Sequence, residues 1–284
     1  MKVLITGADG MIGHAVWRYF EQVSNHETFA SVRSDRHSAA FGDGKRLIQT
    51  GDLAGADGVA RLFDAARPDM VINCAGLTKH AEDGHNPLKV IHANCILPHR
   101  LTIAAREGGA RIIHVSTDCV YQGTKGTYSE TEAPDADDLY GRSKVLGEIT
   151  DQPHVLTIRT STVGFELASQ RGLLEWFLAQ QGTCRGFSRA IFSGVTSLAL
   201  GRILDQHVLS APELTGLLHI AGPRIDKYAL LGLFREHFGL SIAIDRDDAF
   251  AIDRSLDASR FTELTGYVAP SWDSMLSELV EMGR

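Results

Sequence analysis

The first twenty residues impose one arrangement on the chain: an apolar run, a glycine turn and a helix. Lys2 to Thr6 reads as a short buried strand. Gly7-Ala8-Asp9-Gly10-Met11-Ile12-Gly13 comes next, and Ile12, Val16 and Phe20 then recur at helical spacing. Glycines between a strand and a helix let the backbone approach a pyrophosphate, which rests on the amides of the helix N-terminus. The spacing is GxxGxxG, a relative of GxGxxG, and the strand-turn-helix context makes a dinucleotide site credible. Gly7, Asp9, Gly10, Met11, Ile12 and Gly13 are therefore candidate cofactor contacts. The expected fold class is α/β: a Rossmann-type doubly wound parallel sheet with a smaller C-terminal substrate lobe.

Phe29 to Val32 predicts the second strand, and the residues just past it bear on the cofactor. In an NAD site, an acidic residue about 20 positions past the glycines takes the ribose 2′-hydroxyl. Here that place holds Arg33, then Ser34, Asp35 and Arg36. A guanidinium suits a 2′-phosphate and has no acceptor for a hydroxyl. NADP(H) is expected over NAD(H), with Arg33 and Arg36 toward the phosphate; the alternative is a solvated basic loop with Asp35 on the ribose. Leu47 to Thr50 reads as a third strand, and Asp52 with Leu53 falls where the adenine would lie, although Asp52 could equally cap the next helix. Met70 to Gly76 is a fourth strand ending in Cys74, Ala75 and Gly76, whose small side chains would let ribose and nicotinamide lie against the backbone.

Pro87 to Gly108 predicts a long helix with Asn94, a poor helix former, well inside it. Arg111 to Val115 is a fifth strand that delivers Ser116-Thr117-Asp118 to its C-terminal end, where ligands bind in open α/β sheets. Gln122 to Asp138, polar and rich in turn residues, reads as a loop over the site. It leads into Tyr140-Gly141-Arg142-Ser143-Lys144. Four positions separate phenol from amine, so a helix carries both on one face. A free phenol titrates near ~10, and a neighbouring ammonium would pull that value down toward the working range. Val155 to Arg159 is a sixth strand. Beyond it the alternation loosens: helices over Leu173–Leu178, Val195–Leu209 and Tyr228–Phe238, and a strand at Leu217–Ile220. The expected division is a cofactor domain over 1–160 and a mainly substrate-binding lobe over 161–284, with segments at about 190–225 returning to the first sheet.

Composition excludes several function classes. A formal net charge of −7 argues against broad nucleic-acid or anionic-membrane binding, and no apolar run reaches spanning length. Cys74, Cys95, Cys119 and Cys184 form no CxxC pair, so neither a zinc site nor a disulfide scaffold is expected, and no metal is assigned. The N-terminus enters a strand directly, so a cytoplasmic protein is expected. A homodimer is the base-rate expectation.

The combination of GxxGxxG, Ser116-Thr117-Asp118 with Val120-Tyr121, and Tyr140-Gly141-Arg142-Ser143-Lys144 with Gly147-Glu148 resembles the extended short-chain dehydrogenase/reductases. Within them it is most similar to the dTDP-4-dehydrorhamnose reductases, and Arg159-Thr160-Ser161 matches that group as well. The likeness covers the first two-thirds of the chain well and the remainder in outline. It implies hydride delivery from NADPH, with NADH as a secondary donor, to a ketone of a nucleotide-linked sugar. Tyr140 would be the general acid, Thr117 would hydrogen-bond the same oxygen, and Lys144 would tune Tyr140 and contact the nicotinamide ribose. Asn94 matches the helix asparagine that supports a water beside the lysine, and Ser116 lies on the cofactor side. The sugar would lie against Thr78, Thr117, Asp118, Cys119 and Thr160. Arg185, Arg189 and Arg254 are candidates for the diphosphate, with Gly186 to Arg189 as a loop that could stack a base on Phe187.

Three positions depart from that group: Cys119 stands where tyrosine is usual, and Thr162 and Leu77 stand where aromatics are usual. All three lie where the sugar would sit. Two rival readings stand beside the reductase. A sugar-nucleotide epimerase or dehydratase would use the cofactor without net turnover, but Cys119 replaces the glutamate of the dehydratases' Thr-Asp-Glu. A non-catalytic NADP-binding regulatory subunit would have no need of Thr117, Tyr140 and Lys144 together.

Overall fold

The computed structural model of the chain describes residues 1–42, 46–51, 53, 55–167 and 169–283. Its main sheet has seven strands, and every pairing in it is parallel. In chain order they are β1 (Lys2–Thr6), β2 (Glu27–Val32), β3 (Leu47–Gln49), β4 (Met70–Asn73), β5 (Arg111–Thr117) and β6 (Val155–Thr160), with Gly216–His219 as the seventh. Across the sheet they run Gly216–His219, β6, β5, β4, β1, β2, β3. The chain thus steps outward from β1 to β3, then returns to build the other half from β4. The crevice between β1 and β4, at the strand C-termini, is the switch point where doubly wound sheets take ligands.

Both faces of this sheet are covered, which is why its strands read as near-continuous apolar runs. Alternate residues feed two separate cores. Val3, Ile5, Ile72 and Ile113 pack on one face with Val16 and Phe20 of helix Met11–Gln22 and Leu200 of helix Ser197–Ile203. Leu4, Val71 and Ile112 pack on the other with Leu62 of helix Ala56–Ala66 and Leu101 of helix Leu97–Gly108. The period of two comes from the pleat, and each fully buried aliphatic side chain contributes about 1.5–3 kcal/mol.

The helix expected over Pro87–Gly108 is one continuous rod with a π turn in it. Pro87–Ile91 and Leu97–Gly108 are α-helical, and His92–Ile96, which carries Asn94, is the wider turn between them. Such turns relax the helical register by one residue. Helix Met11–Gln22 is tied to the far end of the chain: Arg18 Nη1 and Nη2 donate to the carbonyls of Gly283 and Met282 at 2.7 and 2.8 Å. Among the described residues, no helix is long and apolar enough to cross a membrane.

A second, three-stranded sheet was not legible as such. Its central strand is Thr183–Phe192, paired antiparallel to Ile225–Asp226 and parallel to Ala243–Asp253, with an irregularity between Asp247 and Ala251. Gly186 to Arg189, expected as a loop, lies within that central strand. Two of its outward residues are arginines and one inward residue is glycine, so its pattern resembles a turn. Gly186 is needed there because a Cβ would lie 3.0 Å from Tyr228 Cα of the covering helix Lys227–His237.

Candidate active site

The glycine turn is shaped by close approaches. Gly7 has φ +67°, and a Cβ on it would lie 2.6 Å from Ala75 Cα at the end of β4. A Cβ on Gly13 would lie 2.1 Å from the Gly7 carbonyl oxygen, so only glycine lets the helix seat on the turn. The Gly10 amide closes that turn on Gly7 O at 3.0 Å. Helix Met11–Gln22 then starts with no side-chain cap. Its first amides have no side-chain partner, and free amides at a helix N-terminus suit a phosphate group.

A cleft of about 440 Å³ opens at this turn. Gly7, Asp9, Gly10, Arg33, Leu53, Cys74, Ala75 and Gly76 line it. Met11 begins the helix and Ile12 turns to the core, while Arg36 lies in the 3-10 segment Asp35–Phe41, off the cleft wall. Asp52 lies outside the described residues. Ser31, Thr50, Leu88, Lys89 and His92 also line the cleft and were missed, and Leu77, expected beside the sugar, lines it as well. Leu88 and Lys89 with His92 recur at three- and four-residue spacing on one helix face, but nothing local announces that this face covers the strand ends. Below the cleft, Asn73 holds the turn out of β4: its Oδ1 accepts from Thr6 Oγ1 at 2.7 Å and from the Ala75 amide at 3.1 Å.

Thr117, Tyr140 and Lys144 meet at the C-terminal end of β5. Tyr140 and Lys144 share helix Leu139–Leu146, whose cap Asp138 accepts from the Gly141 amide at 2.6 Å. Lys144 is buried, and its Nζ donates to Val115 O on β5 at 2.8 Å. Burial lowers its pKa to about 8, against the raising effect of Glu148 and Cys74. The Tyr140 phenol is pushed above its usual range, first by burial and then by Cys119, while a hydrogen bond with Thr117 opposes the shift. The expected lowering of Tyr140 by Lys144 is therefore not what dominates: the ammonium is turned to the strand carbonyl, and desolvation wins. The Thr117 hydroxyl also accepts from the Cys119 amide at 3.1 Å and lies 3.2 Å from Asp118 Oδ1.

The rest of the motif is architecture. A Cβ on Gly141 would lie 2.5 Å from Cys119 O, and one on Gly147 would lie 1.9 Å from Asn94 O. Both glycines let the Tyr140 helix lie tight against its neighbours. Asn94 is fully buried and clips three segments together. Its Nδ2 donates to Leu77 O at 2.9 Å and to Ser143 Oγ at 3.0 Å, and its Oδ1 accepts from the Leu77 amide at 2.8 Å. Its side chain thus positions the loop after β4 rather than touching Lys144. Ser116, expected on the cofactor side, donates instead to Glu148 Oε1 at 2.6 Å. Glu148 grips Arg159 through Nε at 2.8 Å and Nη2 at 2.6 Å, and Arg159 Nη1 meets the Tyr121 hydroxyl at 2.6 Å. This fork-to-carboxylate geometry welds the site loop to β6.

Toward the lobe, Thr160 is buried on β6 directly beside Thr117. Asp118 is buried with its pKa raised by desolvation, and burial pushes the Cys119 thiol up to about 12. Arg254 reaches this corner: its Nε donates to Tyr121 O at 2.7 Å and its Nη1 lies 3.8 Å from Cys119 Sγ. Thr78 is exposed on the loop that leaves β4. Arg185 and Arg189 stand on the exposed side of strand Thr183–Phe192, opposite the face that its helix covers, and Arg185 pairs with Asp247 at 3.4 Å. The structure does not bring these two to the Thr117 corner.

Sheet order, glycine turn and the Thr117, Tyr140, Lys144 grouping together define a short-chain dehydrogenase/reductase architecture. The chain belongs to the RmlD substrate binding domain family, whose model matches residues 1–179. It is 27% identical over 308 residues to a dTDP-4-dehydrorhamnose reductase of Shigella flexneri, covering 98% of each chain. A hypothetical dTDP-4-dehydrorhamnose reductase from Sulfolobus tokodaii superposes with a TM-score of 0.78 at 26% identity, over 97% of this chain and 99% of that one. The Bacillus anthracis dTDP-4-dehydrorhamnose reductase, solved in complex with NADP, has the same fold at a TM-score of 0.78 and 19% identity, over 99% of each chain.

Proposed function

We propose that this chain is an NADPH-dependent reductase of a nucleotide-linked 4-keto-6-deoxysugar, of the dTDP-4-dehydrorhamnose reductase type, acting in the cytoplasm in deoxysugar precursor synthesis. The observation that carries the reading is Thr117, Tyr140 and Lys144 grouped at the end of β5, beside a glycine-shaped cleft. Residues 1–160 would hold the cofactor and 161–284 mainly the substrate, with about 190–225 returning to the first sheet.

The chemistry that bound NADPH supplies is a hydride. Everything else falls to the chain. Thr117 Oγ1 and the Tyr140 hydroxyl share one corner, so a ketone oxygen there accepts from both and is held in register. Tyr140, kept protonated by burial, gives its proton as negative charge develops on that oxygen. Lys144, anchored on Val115 O, contributes fixed positive charge that stabilises the phenolate left behind. Asn94 keeps the cleft wall at Leu77 in place.

Lys144 is charged below its folded pKa of about 8 and neutral above it. Turnover should therefore fall as pH rises through about 8, and a flat NADPH-consumption profile from pH 6 to pH 10 would contradict the role given to Lys144. Arg33→Asp removes the phosphate partner and restores a ribose acceptor, so it should shift the NADPH:NADH ratio of kcat/KM toward NADH by about tenfold or more. The overall test is loss of nicotinamide absorbance against a panel of nucleotide-linked 4-keto-6-deoxysugars. No consumption with any member, despite tight NADPH binding, would overturn the assignment and favour the regulatory-subunit reading.

A further inference from the structure

Positive charge gathers around Asp118 and Cys119 from three separate segments of the chain. Lys227 opens helix Lys227–His237, where the helix dipole presents its positive end and disfavours a cation. Its side chain is half-buried, and it has neither a hydrogen bond nor an ion pair among the described residues. Burial lowers its pKa most, Asp118 and Cys119 raise it, and Arg254 and Lys79 lower it further. Lys79 lies on a fixed turn: the Ala81 amide donates to Thr78 O at 3.0 Å, and Asn94 clips Leu77 just before it. Its one carboxylate, Asp138, is 3.9 Å away and half-exposed. His80 follows Lys79 in the chain, and its pKa is lowered by burial first and then by Lys79, Lys227 and His85.

Arg254 completes the group. Its Nε is committed to Tyr121 O, which leaves Nη1 beside Cys119 Sγ at 3.8 Å. At the centre, burial raises the pKa of the Asp118 carboxyl against the lowering effect of Arg254, and Thr117 engages it. Arg254 and Lys79 oppose the charge on Lys227, and among the described residues no carboxylate forms an ion pair with it. Charges placed so near Thr117 and Tyr140 fit an anion that arrives with the substrate.

We propose that Lys227, Lys79 and Arg254 form a clamp for a substrate oxyanion lying against Cys119, which makes the two lysines specificity-determining residues. This deepens the sugar-nucleotide reading and rests on it. The shared ligand chemistry is an oxygen anion, and it has two sources: the diphosphate of the nucleotide, or a carboxylate on the sugar ring. An arginine fork and two lysine point charges serve either.

The test is calorimetry on NADP-loaded protein, wild type and K227M, with inorganic pyrophosphate, D-glucuronate and D-glucose. Wild type should bind at least one anion more tightly than glucose. K227M should weaken that anion by about tenfold or more, with K227R restoring most of it. NADP affinity should stay constant, and the thermal midpoint should hold or rise because a desolvated cation has been removed. Loss of pyrophosphate binding assigns the diphosphate, and loss of glucuronate binding assigns a ring carboxylate. The clamp is overturned if neither anion binds better than glucose, if K227M binds like wild type, or if K227M lowers the midpoint as a structural lysine would. The titrations need no turnover, so a chain that reduced no nucleotide sugar would fail the proposed function while the clamp stood or fell on anion binding alone.

Discussion

Tyr140→Phe should reduce NADPH turnover by about 10²–10⁴-fold, the range spanned by a single positioned general acid. The ring and its packing against the Cys119 corner remain, so only the hydroxyl is lost. NADPH affinity should change little, since Tyr140 is not among the residues lining the cofactor cleft. Two further readouts separate chemistry from collapse. Thermal unfolding should stay close to wild type, because Thr117, the hydroxyl beside the phenol, keeps its bonds to Cys119 and Asp118. Lys144 should still titrate near its wild-type value, because burial, Glu148 and Cys74 act on it and the phenol is neutral where it titrates. Unchanged turnover in the phenylalanine variant would remove Tyr140 from the mechanism.

Much of this corner was legible because its signals are local. The glycine turn, the strand ends and the Tyr140 helix each depend on residues within a few positions. Asn94 and Ser116 were legible as special but not in what they do. A buried amide inside a helix and a hydroxyl at a strand end both announce a bond without naming the partner. Those partners are Leu77 and Ser143 for Asn94, and Glu148 for Ser116. The second sheet was illegible for a related reason. Thr183–Phe192 and Ala243–Asp253 pair in parallel across about sixty residues, and neither alternates cleanly between apolar and polar positions. The Lys227 cluster is the extreme case, since no window of sequence contains Lys79, Lys227 and Arg254 together.

Glu148→Ala should cost about 3–5 kcal/mol, since it strips the partner from a buried guanidinium. Arg159 is 3% exposed, and Glu148 supplies two of its hydrogen bonds, leaving the Tyr121 hydroxyl. Ser116 loses its acceptor at the same time. In a chain of this length the thermal midpoint should fall by about 10 °C. Adding Arg159→Met should recover part of the loss, because a buried pair replaced by apolar atoms is often close to neutral while a broken one is not. A double variant no better than Glu148→Ala would show that the cost lies elsewhere. Glu148 also raises the Lys144 pKa, so in the single variant the alkaline fall in turnover should begin at lower pH.

The Arg18 guanidinium, bound to the carbonyls of Met282 and Gly283, gives the order of assembly a direction. Helix Met11–Gln22 leaves the ribosome well before the carbonyls that anchor it. Helix Ser197–Ile203, which covers its inner face, also emerges late. Until then the glycine turn sits on an element with nothing behind it. A nascent chain would carry the glycine turn long before it could hold a dinucleotide on it, and cofactor capture would report that synthesis had passed Gly283.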